Sequence, residues 1–327
     1  MKLRVWLALI AVYITWGSTY LAIRFAVETI PPFLMAASRF LLAGAILYVW
    51  RRLSGDKPPR RIEWRSAAVV GLLLLAGANG SVTWAEQYVA SGIAALLVGA
   101  VPLWMFLLEV LLPARWLSGS RPETRLTPSW QVFAGVAIGF GGIALLSNPL
   151  NLIANFGEQS SLGIAALLLA GLLWSTGSLY SRGAQLPESP LMGTAAEMLI
   201  GGAGLVALGT LSGEWGRLEI AEISARSLWG LGYLVVFGSL VGFAAYTWLL
   251  RNAPTPLVST YAYVNPLIAI VVGYFLAQEP LTTRTLIAAA LIIGSVMLIT
   301  TARSRPRQVS PAPDPQPAAV AACAGED

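Results

Sequence analysis

The chain has 327 residues, of which 56% are hydrophobic and only 11% charged, with a formal charge of +5. Soluble domains carry about 25% charged residues, so this composition excludes an ordinary soluble fold and points to helices solvated by lipid. Histidine is absent and the single cysteine is Cys323, which excludes a disulfide framework, a Cys/His metal cluster and a Ser-His-Asp triad.

Asp56, Asp314 and Asp327 all lie outside the apolar runs, and neither Lys2 nor Lys57 follows a glycine, so no P-loop is present. No catalytic residue, metal ligand or cofactor is therefore expected. An intramembrane enzyme loses its usual parts.

Ten apolar spans are predicted, near 4–24, 33–50, 66–88, 91–112, 129–147, 161–182, 190–212, 227–250, 255–278 and 282–301. The first begins with charge and runs on without a small-residue cleavage site, which reads as a membrane helix and not a removed signal peptide. Within it Trp16, Tyr20 and Arg24 recur at four-residue steps and share one face. The intervening Gly17-Ser18-Thr19 suits either a cavity wall or close helix packing. Arg24 reads as a helix-end anchor reaching toward headgroups. The second span holds Arg39, and basic residues from Arg51 to Arg65 follow it.

The third span is apolar at Leu72 to Leu75 and then turns polar. Asn79, Thr83, Glu86 and Gln87 form a stripe at three-to-four spacing, with Trp84 and Tyr88 alongside. Polar groups at membrane depth normally face a protein interior or a water-filled cavity, so this stripe favours a cavity wall. A carboxylate at the Glu86 position also suits the outer interface. The fourth span carries Pro102 deep inside it, and the ninth carries Pro266 after Tyr261, Tyr263 and Asn265. Such prolines kink a helix; a paired gating kink and a plain packing kink are both open. The sixth span repeats the first, with Trp174, Ser178 and Arg182 on one face. The seventh contains Glu197. A carrier without histidine needs a buried carboxylate to carry a proton, and Glu86 and Glu197 are the candidates. Pairing of Glu197 with an arginine is the structural alternative.

Links such as Val89-Ala90 are too short for anything but antiparallel neighbours. With the N-terminus inside, roughly sixteen Lys/Arg fall on cytoplasmic segments against roughly four outside, so both termini are expected in the cytoplasm. Trp16/Trp174 and Arg24/Arg182 align at one common offset, and Trp84/Trp248 and Pro102/Pro266 at another. Five spans per half is an odd number, so the second copy enters the bilayer inverted, as in many secondary transporters. The expected organisation is all-α: a first five-helix repeat over 1–148, a second over 160–301, and a disordered cytoplasmic tail over 302–327.

Trp16-Gly17-Ser18-Thr19, Pro31-Pro32, Ser91-Gly92-Ile93-Ala94-Ala95, Tyr261-Ala262-Tyr263-Val264-Asn265-Pro266 and Gln278-Glu279-Pro280-Leu281-Thr282 together resemble the EamA family of the drug/metabolite transporter superfamily. The resemblance implies ten helices in two inverted repeats, a bacterial inner-membrane location and export of small organic solutes, amino-acid-like or drug-like. It also implies a central cavity ringed by helices one to four and six to nine, with the fifth and tenth peripheral.

The expected substrate-cavity residues are Trp16, Thr19, Tyr20, Asn79, Thr83, Trp84, Gln87, Trp174, Ser178, Tyr263 and Asn265. Aromatics there would supply apolar surface and amides and hydroxyls a few orienting hydrogen bonds. The expected partners are a small-molecule solute and the lipid bilayer, with a homodimer left open and no nucleic acid. Coupling is proton exchange or plain facilitation. A membrane sensor without flux and an uptake carrier of the same fold are the rival readings.

Overall fold

The structure is a computed structural model and describes residues 3–111, 130–147, 159–253, 255–258 and 260–304. Helices account for nearly all of them, and no strand occurs among the described residues. Every predicted span holds a helix. We label them α1 (Leu3–Ala26), α2 (Pro32–Leu53), α3 (Arg61–Ala85), α4 (Ser91–Leu111), α5 (Trp130–Ser147), α6 (Gln159–Ser181) and α7 (Pro190–Leu211). In α8, Ala225–Tyr233, Leu234–Val241 and Gly242–Asn252 follow one another. Then come α9 (Tyr261–Ala277) and α10 (Thr283–Ser304).

Seven of these segments are long and apolar enough to cross a membrane, among them α1 to α4 and α6 to α8. Trp130–Leu146, Tyr261–Ala277 and Thr283–Ile299 are shorter apolar stretches. Large apolar side chains such as Ile46, Phe133, Leu169 and Phe275 stand exposed on the outside, where lipid replaces water as the solvent. The expected tail lies outside the described residues beyond Ser304. The 112–117 segment that follows α4 does so too.

Two helices change pitch. Leu72–Asn79 in α3 and Leu234–Val241 in α8 are π-helical, each an eight-residue stretch in the middle of its helix. A π turn widens the helix and misaligns backbone carbonyls, and such turns gather at functional sites. Side chains take up the freed groups: Asn79 Nδ2 donates to Leu74 O at 3.2 Å and Trp16 Nε1 to Gly238 O at 3.2 Å. Replacing Asn79 with leucine removes a donor from a half-buried carbonyl and is expected to cost about 1 kcal/mol, read as a lower melting temperature in detergent.

The prolines behave differently from one another. Helix α4 breaks at Ala100, two residues before Pro102, as the missing amide requires. Helix α9 runs unbroken through Pro266, and the interruption falls earlier, at the turn residue Thr260. The two meet, because a Cβ on Gly99 would lie 2.8 Å from Pro266 Cγ. The break of α4 is thus seated on the proline of α9.

Packing joins the two halves throughout. Helix α2 lies along α7 and α5 along α10, while α4 meets α9. Helix α1 packs on α8 and α9, α6 packs on α3 and α4, α2 touches α8 and α3 touches α7. One large core contains Ala22, Met35, Leu96, Leu97, Leu103, Leu167 and Leu234, and Phe40, Met198 and Leu205 anchor a second between α2 and α7.

Beyond α2, Arg51 donates to Asp56 through Nε and Nη2 at 2.8 and 2.9 Å. That pairing, with Ser189 assisting, holds the Asp56 carboxyl down to about 2. A depressed carboxyl adds stability that is present above its unfolded value, near 4, and is lost as pH falls through the folded one.

Candidate functional site

The interior face of α1 organises one side of the site. Gly17 allows α1 to close on α9, since a Cβ there would meet Ile268 Cβ at 2.7 Å. Trp16 can then reach inward, with ring centroids 5.3 Å from Phe243, 5.0 Å from Tyr246 and 5.3 Å from Tyr261. Ser18 Oγ lies 2.7 Å from the Tyr233 hydroxyl, and Thr19 Oγ1 donates back to Trp16 O at 2.6 Å. The Gly-Ser-Thr cluster therefore splits its work. The glycine sets the helix spacing, and both hydroxyls are engaged in hydrogen bonds.

Tyr20, Trp84, Trp174 and Tyr263 all pack against the large core, although they come from α1, α3, α6 and α9. The Trp84 ring sits edge-on to Tyr88 at 5.2 Å. Thr83 is buried and donates to Asn79 O at 2.8 Å. Ser178 is half-buried, and Asn265 is buried with its Oδ1 unpartnered. Gln87 lies outside this group, exposed in the turn after α3, with its amide donating to Trp84 O at 3.0 Å.

Two residues that sequence reasoning passed over belong here. Ser175 is buried and its hydroxyl donates to Gly171 O at 2.8 Å and Val101 O at 3.2 Å, bridging α6 to the break in α4. Trp104, half-buried, has its indole N–H buried without a partner and its ring edge-on to Phe140 at 5.2 Å. Nothing in local spacing separates either from ordinary helix residues.

The charges are arranged unevenly. Arg24 Nη1 donates to Glu279 Oε1 at 2.7 Å, so its partner is a carboxylate and not a headgroup. The same oxygen accepts from Ser91 N at 2.9 Å, and Glu279 Oε2 accepts from Gly92 N at 3.2 Å. A carboxylate at a helix N-terminus satisfies orphan amides and complements the dipole. Glu214, fully buried between α7 and α8, does likewise for α2, accepting from Phe33 N at 3.2 Å and Leu34 N at 2.9 Å. Arg182 Nη1 pairs with Glu109 Oε1 at 2.8 Å near the other end of α4.

Glu86, Arg39 and Glu197 stand apart from these pairs. Glu86 is 2% exposed and neither of its oxygens has a hydrogen-bond partner. Arg39 is 5% exposed and donates only through Nε, to Ser239 Oγ at 3.0 Å. Glu197 is half-buried in α7, and it forms none of the ion pairs seen among the described residues.

Among the described residues, apolar helices packed into one bundle, seven of them long enough to cross a membrane, define a polytopic helical membrane protein. The EamA-like transporter pattern matches residues 3–122 and 161–301, and the chain belongs to that family, within the drug/metabolite transporter superfamily. It is 39% identical over 294 residues to the uncharacterized inner membrane transporter YedA of Escherichia coli, covering 90% of this chain and 89% of that one. The uncharacterized transporter YvbV of Bacillus subtilis is 26% identical over 302 residues, with 92% of each chain covered. One solved crystal structure superposes with a TM-score of 0.58 at 19% identity, covering 91% of this chain and 98% of its own. At that identity the likeness speaks for the fold alone.

Proposed function

We propose that the chain is a secondary transporter that exports a small organic solute across the bacterial inner membrane by alternating access. Two inverted five-helix repeats, α1–α5 and α6–α10, would exchange conformations around the aromatic interior, with both termini cytoplasmic. The observation that carries this reading is the packing pattern. Exchanging α1–α5 for α6–α10 turns the α1–α8 contact into α6–α3, α1–α9 into α6–α4 and α2–α8 into α7–α3, and each of these occurs. The π-helical stretches fall on α3 and α8, which are themselves exchange partners. Repeats related in this way support a site reachable from either side.

The test is counterflow in proteoliposomes loaded with a solute panel. Accelerated exchange of at least one solute over protein-free vesicles is expected; binding without any exchange would favour a sensor. Transport from the cytoplasmic face of oriented vesicles distinguishes export from uptake.

Glu86 and Glu197 are the candidates for a proton carrier, because neither forms an ion pair among the described residues. Glu197→Gln is expected to abolish the pH dependence of transport while leaving exchange intact. A pH profile identical to wild type would remove that role from Glu197 and leave it to Glu86 or to plain facilitation.

A further inference from the structure

Positive charge gathers at the turn between α2 and α3. Residues 51–65 hold six basic side chains, Arg51, Arg52, Lys57, Arg60, Arg61 and Arg65, against two acidic ones, Asp56 and Glu63. Both acids are engaged within the turn itself. Asp56 takes both prongs of Arg51, and Glu63 accepts from the Arg60 amide at 2.7 Å and its guanidinium at 2.8 Å. Arg52, Lys57, Arg61 and Arg65 are exposed and form none of the ion pairs seen among the described residues.

Arg61 and Arg65 stand one turn apart on α3, a spacing at which like charges repel. Their face of the helix continues as lipid-type surface. Arg61, Arg65, Val69 and Leu72 recur at steps of four, four and three, and all are exposed. The stripe is thus cationic over its first turns and apolar below, while Val70 and Gly71 on the other side of α3 are buried. Aromatic rings set its depth. Tyr48 near the end of α2 and Trp64 at the start of α3 lie 6.3 Å apart, and Trp50 is exposed on α2. Such amphipathic rings settle at the level of lipid headgroups.

We propose that Arg61 and Arg65 hold the phosphate of an anionic phospholipid whose acyl chain lies along Val69 and Leu72. The order of the stripe selects this partner, because charge sits at the helix end and apolar surface beneath it. A phosphate between two guanidiniums one turn apart can accept from both, which turns a repulsive pair into a bridged one. A soluble anion would match the arginines and leave Val69 and Leu72 unused. A choline lipid would bring a cation of its own among uncompensated cations. The surface is on the outside of α3, and its lipid does not depend on the transporter reading.

The test titrates dioleoyl phosphatidylglycerol, and in parallel dioleoyl phosphatidylcholine, into purified full-length protein in dodecyl maltoside. The melting temperature is the readout, since a bound lipid raises it. Phosphatidylglycerol should act at the lower mole fraction, and the gap should narrow at high salt as exposed charges are screened. Each arginine beside an anionic headgroup is worth about fivefold in affinity. Arg61→Gln and Arg65→Gln combined should therefore raise the half-maximal phosphatidylglycerol fraction roughly 25-fold and leave the choline-lipid titration unchanged. Arg226→Gln, which removes a positive charge at the start of α8, should leave both titrations as in wild type.

Equal action of the two lipids on the wild-type protein overturns the proposal. So does a phosphatidylglycerol titration that the double variant leaves in place, or one that Arg226→Gln weakens as much. Inorganic phosphate stabilising the protein as well as phosphatidylglycerol would define an anion site without a chain, and overturns it too.

Discussion

Glu279→Ala should destabilise the protein by about 3 kcal/mol, the lower end of the range for breaking a buried ion pair. Glu279 is 6% exposed and its carboxylate serves three donors: Arg24 Nη1, Ser91 N and Gly92 N. Alanine strands all three. Arg24 is 38% exposed at its side chain and can recover water, which keeps the cost from the top of the range. The two amides at the start of α4 are buried and cannot.

The pair at the other end of α4 supplies the comparison. There Arg182 is 49% exposed and Glu109 20%, so Glu109→Ala should cost only about 0–1 kcal/mol, as expected of solvated pairs. Glu279→Gln retains an acceptor for an amide and should fall between the two. Melting curves in one detergent rank the three variants. Equal losses for Glu279→Ala and Glu109→Ala would mean that helix capping by Glu279 contributes little.

The sequence announces the helices plainly and their partners hardly at all. Hydropathy finds every span because lipid solvation acts on each helix separately, although α3 starts at Arg61, well before its expected start at 66, and α9 starts at Tyr261, well after its expected start at 255. Arg24 shows where such reasoning stops. From α1 alone it is a cation at a helix end, and the glutamate that receives it lies 255 residues further along the chain. Glu214 is less legible still. It sits in a short polar link and caps a helix that begins with two prolines, a relation set by how α7, which it follows, lies along α2.

Hydropathy is equally blind to helix pitch. Leu72 to Leu75 reads as a plain apolar run, yet it opens a π-helical stretch. The polar stripe that follows was visible as a stripe, but spacing could not separate its members. Thr83 and Glu86 point inward, while Gln87, one residue on, is exposed in the turn. The small residues carried more information than they showed. Gly17 and Gly99 each mark a helix crossing, and a glycine in a Leu/Ala/Gly-rich chain does not reveal which neighbour it admits.

Gly71→Ala is the sharpest case, because the atom it would meet is backbone. A Cβ at Gly71 would lie 2.4 Å from Glu197 O and 3.2 Å from both Glu197 C and Cα. No rotamer change relieves that contact, and α3 must lift away from α7. Overpacking of this kind costs about 1–3 kcal/mol, and a backbone partner places Gly71→Ala near the top. The contact is reciprocal, since a Cβ on Gly201 would meet Gly71 O at 2.8 Å and Leu75 Cβ at 2.6 Å.

Gly204 lies on the same face of α7 but meets side chains and not backbone, the flexible tip of Leu72 with Cδ2 at 2.7 Å and Ala76 Cβ at 3.0 Å. Gly204→Ala should therefore cost about 1 kcal/mol, the low end for overpacking, because Leu72 can turn aside and only the close Ala76 contact remains. Gly294 has nothing within 4 Å of its Cβ position, so Gly294→Ala should melt as wild type or slightly above it, since alanine favours the helix.

The ordering Gly71, then Gly204, then Gly294 tests whether α3 and α7 truly interlock. It bears on function as well, because Glu197 lies at that crossing and α3–α7 is the exchange counterpart of α8–α2. If Gly71→Ala melts like Gly294→Ala, the two helices do not touch in the membrane, and Glu197 lies in different surroundings.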